Sequence, residues 1–87
     1  MMDIDTYDDL LEFLEVEDFE DVTLQVVYTN ADCLTHKFRI TDISKSIKYG
    51  GGYIDAFCID KDGEYEGIER TFKICRFDDI DITRWRN

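Results

Sequence analysis

The chain has 87 residues, with 21 acidic residues against 10 Lys and Arg, and a net charge of −11 at neutral pH. This length predicts one small domain over residues 1–87, and 44% hydrophobic residues is typical of a folded protein rather than a disordered tail. No apolar run approaches the roughly 20 residues that span a bilayer, and the acidic N-terminus is unlike a signal peptide. We therefore expect a cytoplasmic protein with no membrane partner.

The negative charge is concentrated at the N-terminus. Residues 1–21 hold ten acids and no base, whereas residues 22–87 hold the other eleven acids against all ten bases, a net charge of −1. This distribution argues against a general duplex-DNA binder, which needs a basic face. Two interpretations stay open. The acids form a solvated helix face, or they imitate phosphates for a basic partner protein. The candidate partner-binding residues are Asp8, Glu12, Glu15, Glu17 and Asp18.

The first predicted element is a helix over residues 6–16. Thr6 followed by Asp9 resembles a capping box, and acids in the first turn suit the positive end of the helix dipole. One apolar stripe at helical spacing comprises Tyr7, Leu10, Leu11 and Leu14.

Alternating apolar and polar residues then predict strands. Residues 22–28 alternate, a turn rich in Asn and Asp follows at residues 29–33, and residues 35–40 alternate again. Residues 41–52 predict a short connection or strand that ends in a glycine-rich turn at Gly50–Gly52.

The second half predicts a hairpin and a last strand. Residues 53–60 are apolar on both faces, apart from Asp55 within the run and Asp60 at its end, and Asp62-Gly63 is a strong hairpin signal. Residues 68–77 are predicted to pair back as the next strand, and residues 78–85 to form a last short strand.

These elements predict a mainly β (α+β) domain of one helix and about five short antiparallel strands. Closing the strands of residues 22–83 into a small barrel would protect the sheet edges. Trp85, which lies between two arginines, is interpreted as a cap on the core, with a base-stacking platform as the alternative.

The sequence contains no convincing catalytic or metal-binding motif. His36 is the only histidine and has no evident nucleophile partner, so we expect a structural or surface role and no enzyme activity. The acidic stretches at residues 60–64 and 78–81 lack the spacing of a calcium loop. Gly50–Gly52 is not followed by the Lys-Ser/Thr pair of a phosphate loop. We expect no cofactor and no metal.

The three cysteines predict free thiols. Cys33, Cys58 and Cys75 are odd in number and form no CxxC pair, which argues against a disulfide framework or a zinc site. Cys58 and Cys75 lie in apolar strand patterns, so we expect both to be buried in a reducing cytosol.

The stretch GYIDAFCIDKDGEYEGIERTFKICRF, residues 52–77, resembles the second half of a WYL domain. The triplet that names this family is represented here by Gly52-Tyr53-Ile54, and its continuation by Ala56-Phe57-Cys58. After the hairpin, the spaced pattern of the family falls in order on Arg70, Phe72, Lys73, Ile74, Arg76 and Phe77. The earlier helix and strand also fit, so the resemblance covers roughly residues 8–82.

The resemblance implies a small Sm-like or SH3-like β-barrel with an N-terminal helix. WYL domains usually act as regulatory sensing modules in bacterial transcription regulators, including those tied to phage defence, and are thought to receive a nucleotide or single-stranded nucleic acid. Carried over to this chain, the ligand-binding residues would be Tyr53, Arg70, Lys73 and Arg76. Gly52 stands where the family has its Trp, and Thr41 stands where members tend to have Pro. No helix-turn-helix precedes the barrel helix, so we expect a stand-alone module.

Three hypotheses follow. The first is a regulatory binding module that uses Arg70 and Arg76, about 20 Å apart on one strand face, to bind an anion or a partner. The second is an acidic phage or mobile-element inhibitor, of the anti-CRISPR or anti-restriction type, that blocks a basic nucleic-acid-binding host protein. In the third, both arginines only pair with local acids such as Asp55 or Glu69. A homodimer is also left open.

Overall fold

The computed structural model describes residues 4–20 and 22–84. They form one helix and five strands in a single antiparallel sheet. The elements are α1 (Tyr7–Leu14), β1 (Val22–Thr29), β2 (Thr35–Ser46), β3 (Gly50–Lys61), β4 (Glu64–Lys73), the 3₁₀ turn η1 (Ile74–Arg76) and β5 (Phe77–Arg84). The strand order in the sheet is β4-β3-β2-β1-β5. The mainly β class with one helix is therefore confirmed. Asp3, Asp21 and Trp85, and the expectations placed on them, lie outside the described residues.

The helix begins and ends as its local sequence dictates. The Thr6 hydroxyl accepts a hydrogen bond from the Asp9 backbone N–H at 3.2 Å, which satisfies one free donor of the first turn. At the other end, Glu15 adopts the left-handed conformation with φ 57° and stops the helix. Leu10 is fully buried, while the rest of the predicted stripe packs against the core from its margin. The predicted helix is thus confirmed, one residue shorter at its start and two at its end.

The core lies on one face of the curved sheet. Alternation on β1 buries Val22, Leu24 and Val26, and β3 contributes Ile54, Ala56 and Cys58. Helix α1 packs against β3, and it brings Leu10 into the same cluster. Bulges occur in the β1–β5, β2–β3 and β3–β4 ladders, and bulges bend and twist the strands that carry them.

The sheet has two edge strands, β4 and β5. Within the described residues the ladders join β4 to β3 and β5 to β1, and none joins β4 to β5. The strands therefore form a curved open sheet, and barrel closure stays a prediction.

Two local predictions are wrong. The turn after β2 lies at residues 47–49, where the Ser46 hydroxyl accepts a hydrogen bond from the Tyr49 backbone N–H at 3.2 Å, and the three glycines already belong to β3. The predicted strand over residues 68–77 stops at Lys73, because the chain must turn there from one edge of the sheet to the other.

The early end of β4 also corrects the prediction that Cys75 is buried. Cys58 is buried as predicted, and its desolvation raises the pKa of its thiol to about 11. Cys75, in contrast, is exposed because it lies in the 3₁₀ turn rather than on the core face of a strand. All three cysteines are free thiols.

The other turns agree with the sequence. Asp62 and Gly63 have φ values of 53° and 87°, the positive values that a tight two-residue hairpin requires. In the loop after β1, the Asn30 side-chain oxygen accepts hydrogen bonds from the backbone N–H groups of Asp32 and Leu34.

Candidate functional site

An open cleft forms where the turn after β2 meets the end of β4 and the 3₁₀ turn. Its volume is about 400 Å³, within the usual range of ligand sites of roughly 300–1,000 Å³. We call it the tyrosine cleft. It is lined by Tyr28, Ala31, Tyr49, Tyr53, Thr71, Lys73 and Arg76.

Two tyrosines stand side by side in this cleft. The ring centroids of Tyr49 and Tyr53 are 5.0 Å apart, with 37° between the ring planes. The ammonium of Lys73 lies 5.9 Å from the Tyr53 centroid, and that of Lys48 lies 5.2 Å from the Tyr49 centroid. The cleft thus offers flat aromatic surfaces with positive charges above them, an arrangement suited to stacking a planar ring that carries an anionic group.

Within the described residues, the cations of the cleft have no direct carboxylate partner, although Asp55 accepts a hydrogen bond from Thr71 at its margin. No carboxylate is among its lining residues, and neither Lys73 nor Arg76 forms an ion pair with any residue that the structure describes. Lys73 is the last residue of β4 and Arg76 the last residue of the 3₁₀ turn that follows it, so both line the cleft where the chain changes direction. In a chain of net charge −11, this cleft is a local exception.

The floor of the cleft is fixed by Tyr28. Its hydroxyl accepts a hydrogen bond from the Lys73 backbone N–H at 2.9 Å, although the two residues are 45 positions apart. Its ring packs edge-to-face on Phe38, Phe72 and Phe77, with centroid distances of 5.0–6.2 Å. Aromatic contacts of this kind hold the end of β4, and so Lys73, in a defined position.

Arg70 lies in a neighbouring, smaller cleft of about 220 Å³. Its guanidinium donates two hydrogen bonds to Glu66, at 2.8 and 3.0 Å, and lies 5.4 Å from the Phe38 ring centroid. These hydrogen bonds lower the pKa of Glu66 and raise that of Arg70. We call this the basic cleft. It is lined by Tyr28, Asn30, His36, Phe38, Lys61, Arg70, Thr71 and Phe72.

The structure therefore separates the two arginines that the sequence placed on one strand face. Arg70 lies on β4 and is held by a local carboxylate, whereas Arg76 lies on the 3₁₀ turn and lines the open tyrosine cleft. The carboxylate is Glu66 rather than the predicted Asp55 or Glu69, because Asp55 accepts a hydrogen bond from Thr71 at 2.6 Å.

Three of the four predicted ligand residues come together: Tyr53, Lys73 and Arg76. Sequence reasoning missed Tyr28 and Tyr49, which complete the cleft. Tyr49 could have been identified as an aromatic residue in a turn; its side chain is half exposed. Nothing local marks Tyr28, which looks like the last residue of an alternating core strand.

The acidic N-terminal segment forms a separate surface. Asp8, Glu12, Glu15, Glu17 and Asp18 are all exposed, and none of them pairs with a basic residue in the described chain. The pKa of Tyr7 is raised, first by burial and then by the negative charges of Asp18 and Asp8.

Only some of these acids lie where they stabilise the helix. Asp8 and Asp9 suit the start of α1, but Glu12 and Glu15 lie towards its end, where no basic residue is present. Negative charge at that end opposes the helix dipole.

His36 has a structural contact. Its Nδ1 lies 2.7 Å from the Asp62 carboxylate, whose second oxygen accepts a hydrogen bond from the Lys37 backbone N–H at 2.9 Å. That backbone hydrogen bond, followed by the one from His36, lowers the pKa of Asp62. Asp62 thus ties the β3–β4 turn to β2.

Residues 4–20 and 22–84 contain neither a candidate metal site nor a candidate membrane-spanning helix. No group of three His, Cys, Asp or Glu side chains is placed to hold a metal ion. No helix there is both long and apolar enough to cross a membrane.

Comparison with known proteins gives no match to a family model, to a curated protein or to a solved structure. Function is therefore inferred from the geometry of the two clefts and of the acidic surface.

Proposed function

We propose that the chain is a non-catalytic binding module whose tyrosine cleft receives an anionic ligand with a planar ring, a nucleotide or single-stranded nucleic acid. One observation carries this proposal. Lys73 and Arg76 lie beside the Tyr49–Tyr53 pair with no carboxylate lining the cleft, although the chain as a whole is strongly acidic. Lysine or arginine can bind the phosphate of such a ligand while a neighbouring aromatic ring stacks on its base.

The proposed module is WYL-like and regulatory, and acts in the cytoplasm. Its support is the placement of Tyr53, Lys73 and Arg76, the residues carried over from that family, in one cleft. A helix followed by a bent five-stranded sheet, with β5 returning beside β1, is also compatible with a small Sm-like or SH3-like barrel.

The test is a titration at low salt with thymidine 5′-monophosphate, followed by ¹⁵N–¹H NMR. This nucleotide is a suitable probe because it combines one planar base with one phosphate group. We expect saturable shifts at the residues of the tyrosine cleft. Lys73→Met should weaken binding about tenfold, because a hydrogen bond between charged groups is lost.

Lys37→Met is the matched control. It removes the same charge from an exposed lysine that lines neither of the two clefts, and should leave affinity within about twofold. Binding that is absent in the wild type, or weakened equally by both variants, would contradict the proposal.

A second candidate function is inhibition of a basic nucleic-acid-binding host protein, as a phage or mobile-element product would perform. The observation that favours it is an exposed acidic surface without basic partners in the described chain, part of which opposes the helix dipole. Glu12 and Glu15, towards the end of the helix, do not stabilise it, so a partner surface would account for them.

Its test uses Glu12, Glu15, Glu17 and Asp18 changed together to Gln or Asn. Salt-sensitive co-purification with a basic protein should be lost in this variant. Asn at position 18 keeps the side-chain oxygen that accepts from the Glu20 backbone N–H, so the local fold is preserved. Persistence of the complex would remove the electrostatic argument.

A further inference from the structure

The turn between β2 and β3 adds exposed apolar surface to the rim of the tyrosine cleft. Ile47 is 98% exposed and Tyr49 is 52% exposed, and the Lys48 ammonium lies 5.2 Å from the centroid of the Tyr49 ring. Within the described chain, Lys48 forms no ion pair, as is also true of Lys73 and Arg76. We call these five residues the cationic rim. It combines apolar surface with cations that have no carboxylate partner there.

The exposed side of α1 has the opposite charge and a matching apolar group. Phe13 is 50% exposed, and Asp9, four residues earlier, is exposed on the same side of the helix. Glu12 is also exposed, and residues 1–21 hold ten acids and no base. The helix thus presents one aromatic ring among carboxylates.

These two surfaces do not meet within one chain. Helix α1 packs against β3 through its buried side, so its acidic side faces away from the sheet that carries the cationic rim. Among the residues that the structure describes, no ion pair joins an acid of the N-terminal segment to the cationic rim. A second copy of the chain can supply the missing contact.

The charge distribution favours one orientation of two copies. Residues 22–87 hold ten bases and eleven acids and are nearly neutral, whereas residues 1–21 carry ten negative charges. Two acidic segments repel each other, which disfavours contact between like ends. In a head-to-tail contact, the acidic segment of one copy meets the nearly neutral part of the other, and the two acidic segments stay apart.

We propose that the acidic side of α1 in one copy docks on the cationic rim of a second copy. Phe13 packs against Ile47 and Tyr49, and the carboxylates of the acidic segment lie beside the three cations of the rim. The contact covers the mouth of the tyrosine cleft, so self-association closes this cleft. The inference goes beyond the proposed function and does not depend on any ligand of the cleft.

The contact is small. One helix face and one turn offer less than the roughly 800 Å² per partner that stable complexes bury. Much of the attraction is between exposed charges, which salt screens. We therefore expect weak and salt-sensitive association.

The first test is sedimentation equilibrium of the wild-type chain at about 0.5 mM, a concentration suited to weak contacts. In about 20 mM NaCl we expect species larger than the 10.3 kDa monomer, and in about 500 mM NaCl we expect the monomer. A monomer at both salt concentrations, or association that persists in high salt, would overturn the proposal.

The second test removes charge from the acidic segment. Changing Glu12, Glu15, Glu17 and Asp18 together to Gln or Asn should weaken self-association at low salt at least about tenfold. The matched control changes another four exposed acids that form no ion pair in the described chain: Glu64, Glu69, Asp79 and Asp81. It removes the same charge and should associate at least as tightly as the wild type. Equal effects of the two changes would overturn the proposal.

The third test restores the contact by mixing. A double variant, Lys73→Met with Arg76→Met, lacks two cations of the rim but keeps its acidic segment, and the acid-neutralised variant has the reverse defect. Each should be a monomer alone at low salt, and an equimolar mixture should form a complex. A mixture that stays monomeric would overturn the head-to-tail contact.

The outcomes are separable from those for the proposed function. A chain that stays monomeric in every salt concentration can still bind thymidine 5′-monophosphate, and a chain that does not bind this nucleotide can still self-associate. The salt dependence of the wild type decides the proposal even where a variant fails to fold.

Discussion

Replacing Phe72 by Leu tests the packing on which both clefts depend. Phe72 is 2% exposed, and its ring lies 5.0 Å from that of Tyr28, 5.1 Å from that of Phe38 and 5.8 Å from that of Phe77. Leu is smaller than Phe and has no ring, so the substitution loses three aromatic pairs, each worth about 0.5–1.5 kcal/mol beyond area burial, and leaves some space unfilled. We expect a combined loss of about 2 kcal/mol.

That loss is a large share of the stability of an 87-residue domain, about 4–13 kcal/mol. Urea unfolding followed by circular dichroism should show the midpoint falling by more than about 1 M for a small domain. Phe13→Leu is the matched control, because Phe13 is half exposed on the helix and should change stability by less than about 0.5 kcal/mol. Equal effects of the two substitutions, or a Phe72→Leu loss below about 0.5 kcal/mol, would refute the packing argument.

Three further predictions concern stability. Glu15→Gly should raise the free energy of unfolding by about 1 kcal/mol, because it relieves a left-handed φ of 57° and removes charge from the helix end; a destabilised variant would contradict this. Gly67→Ala should lower it by about 1 kcal/mol or more in the same urea assay, since Gly67 has φ 65°; no loss would show that this φ is not required. Hydrogen bonds from the Lys37 backbone and from His36 lower the pKa of Asp62. The contribution of this carboxylate to the free energy of unfolding is therefore present above its usual pKa of 3.8 and is lost as the pH falls through the lowered pKa. The urea midpoint of the wild type should therefore fall more steeply below about pH 4 than that of Asp62→Asn, and parallel curves would contradict the assignment.

The sequence predicted those parts of the fold that depend on local chemistry. Thr6 caps the helix, Asp62-Gly63 forms the hairpin, and the alternation of Val22, Leu24 and Val26 identifies a core strand. In each case the determining residues are neighbours in sequence, so propensity and periodicity were sufficient.

Predictions failed where tertiary structure decides. Residues 47–49 form the turn because Ser46 is buried and binds the Tyr49 backbone N–H, which moves the glycines into β3. The apolar Ile74 appeared to continue β4, but it enters the core from a 3₁₀ turn instead. Both errors lie where the chain turns between strands, and hydrophobic periodicity does not show where such a turn must be.

The candidate site was predicted in part for the same reason. Tyr53 and Lys73 face each other across the β3–β4 ladder because the register shifts by one residue between Cys58 and Asp60; the hairpin turn alone would place Tyr53 opposite Phe72. The contribution of Tyr28 arises from a hydrogen bond across 45 positions, and no local pattern indicates it. The partner of Arg70 was misassigned because Asp55 faces Thr71 across the ladder and accepts its hydrogen bond, while Arg70 binds Glu66 on its own strand.

Arg76 is the residue proposed to bind the ligand phosphate; it lines the open tyrosine cleft and forms no ion pair within the described chain. The most direct measurement is the Kd of thymidine 5′-monophosphate for Arg76→Met beside Arg39→Met, which removes an equal charge from an arginine that pairs with Asp60 outside both clefts. We predict about tenfold weaker binding for Arg76→Met and less than about twofold change for Arg39→Met. Equal Kd values for the two variants would contradict the account.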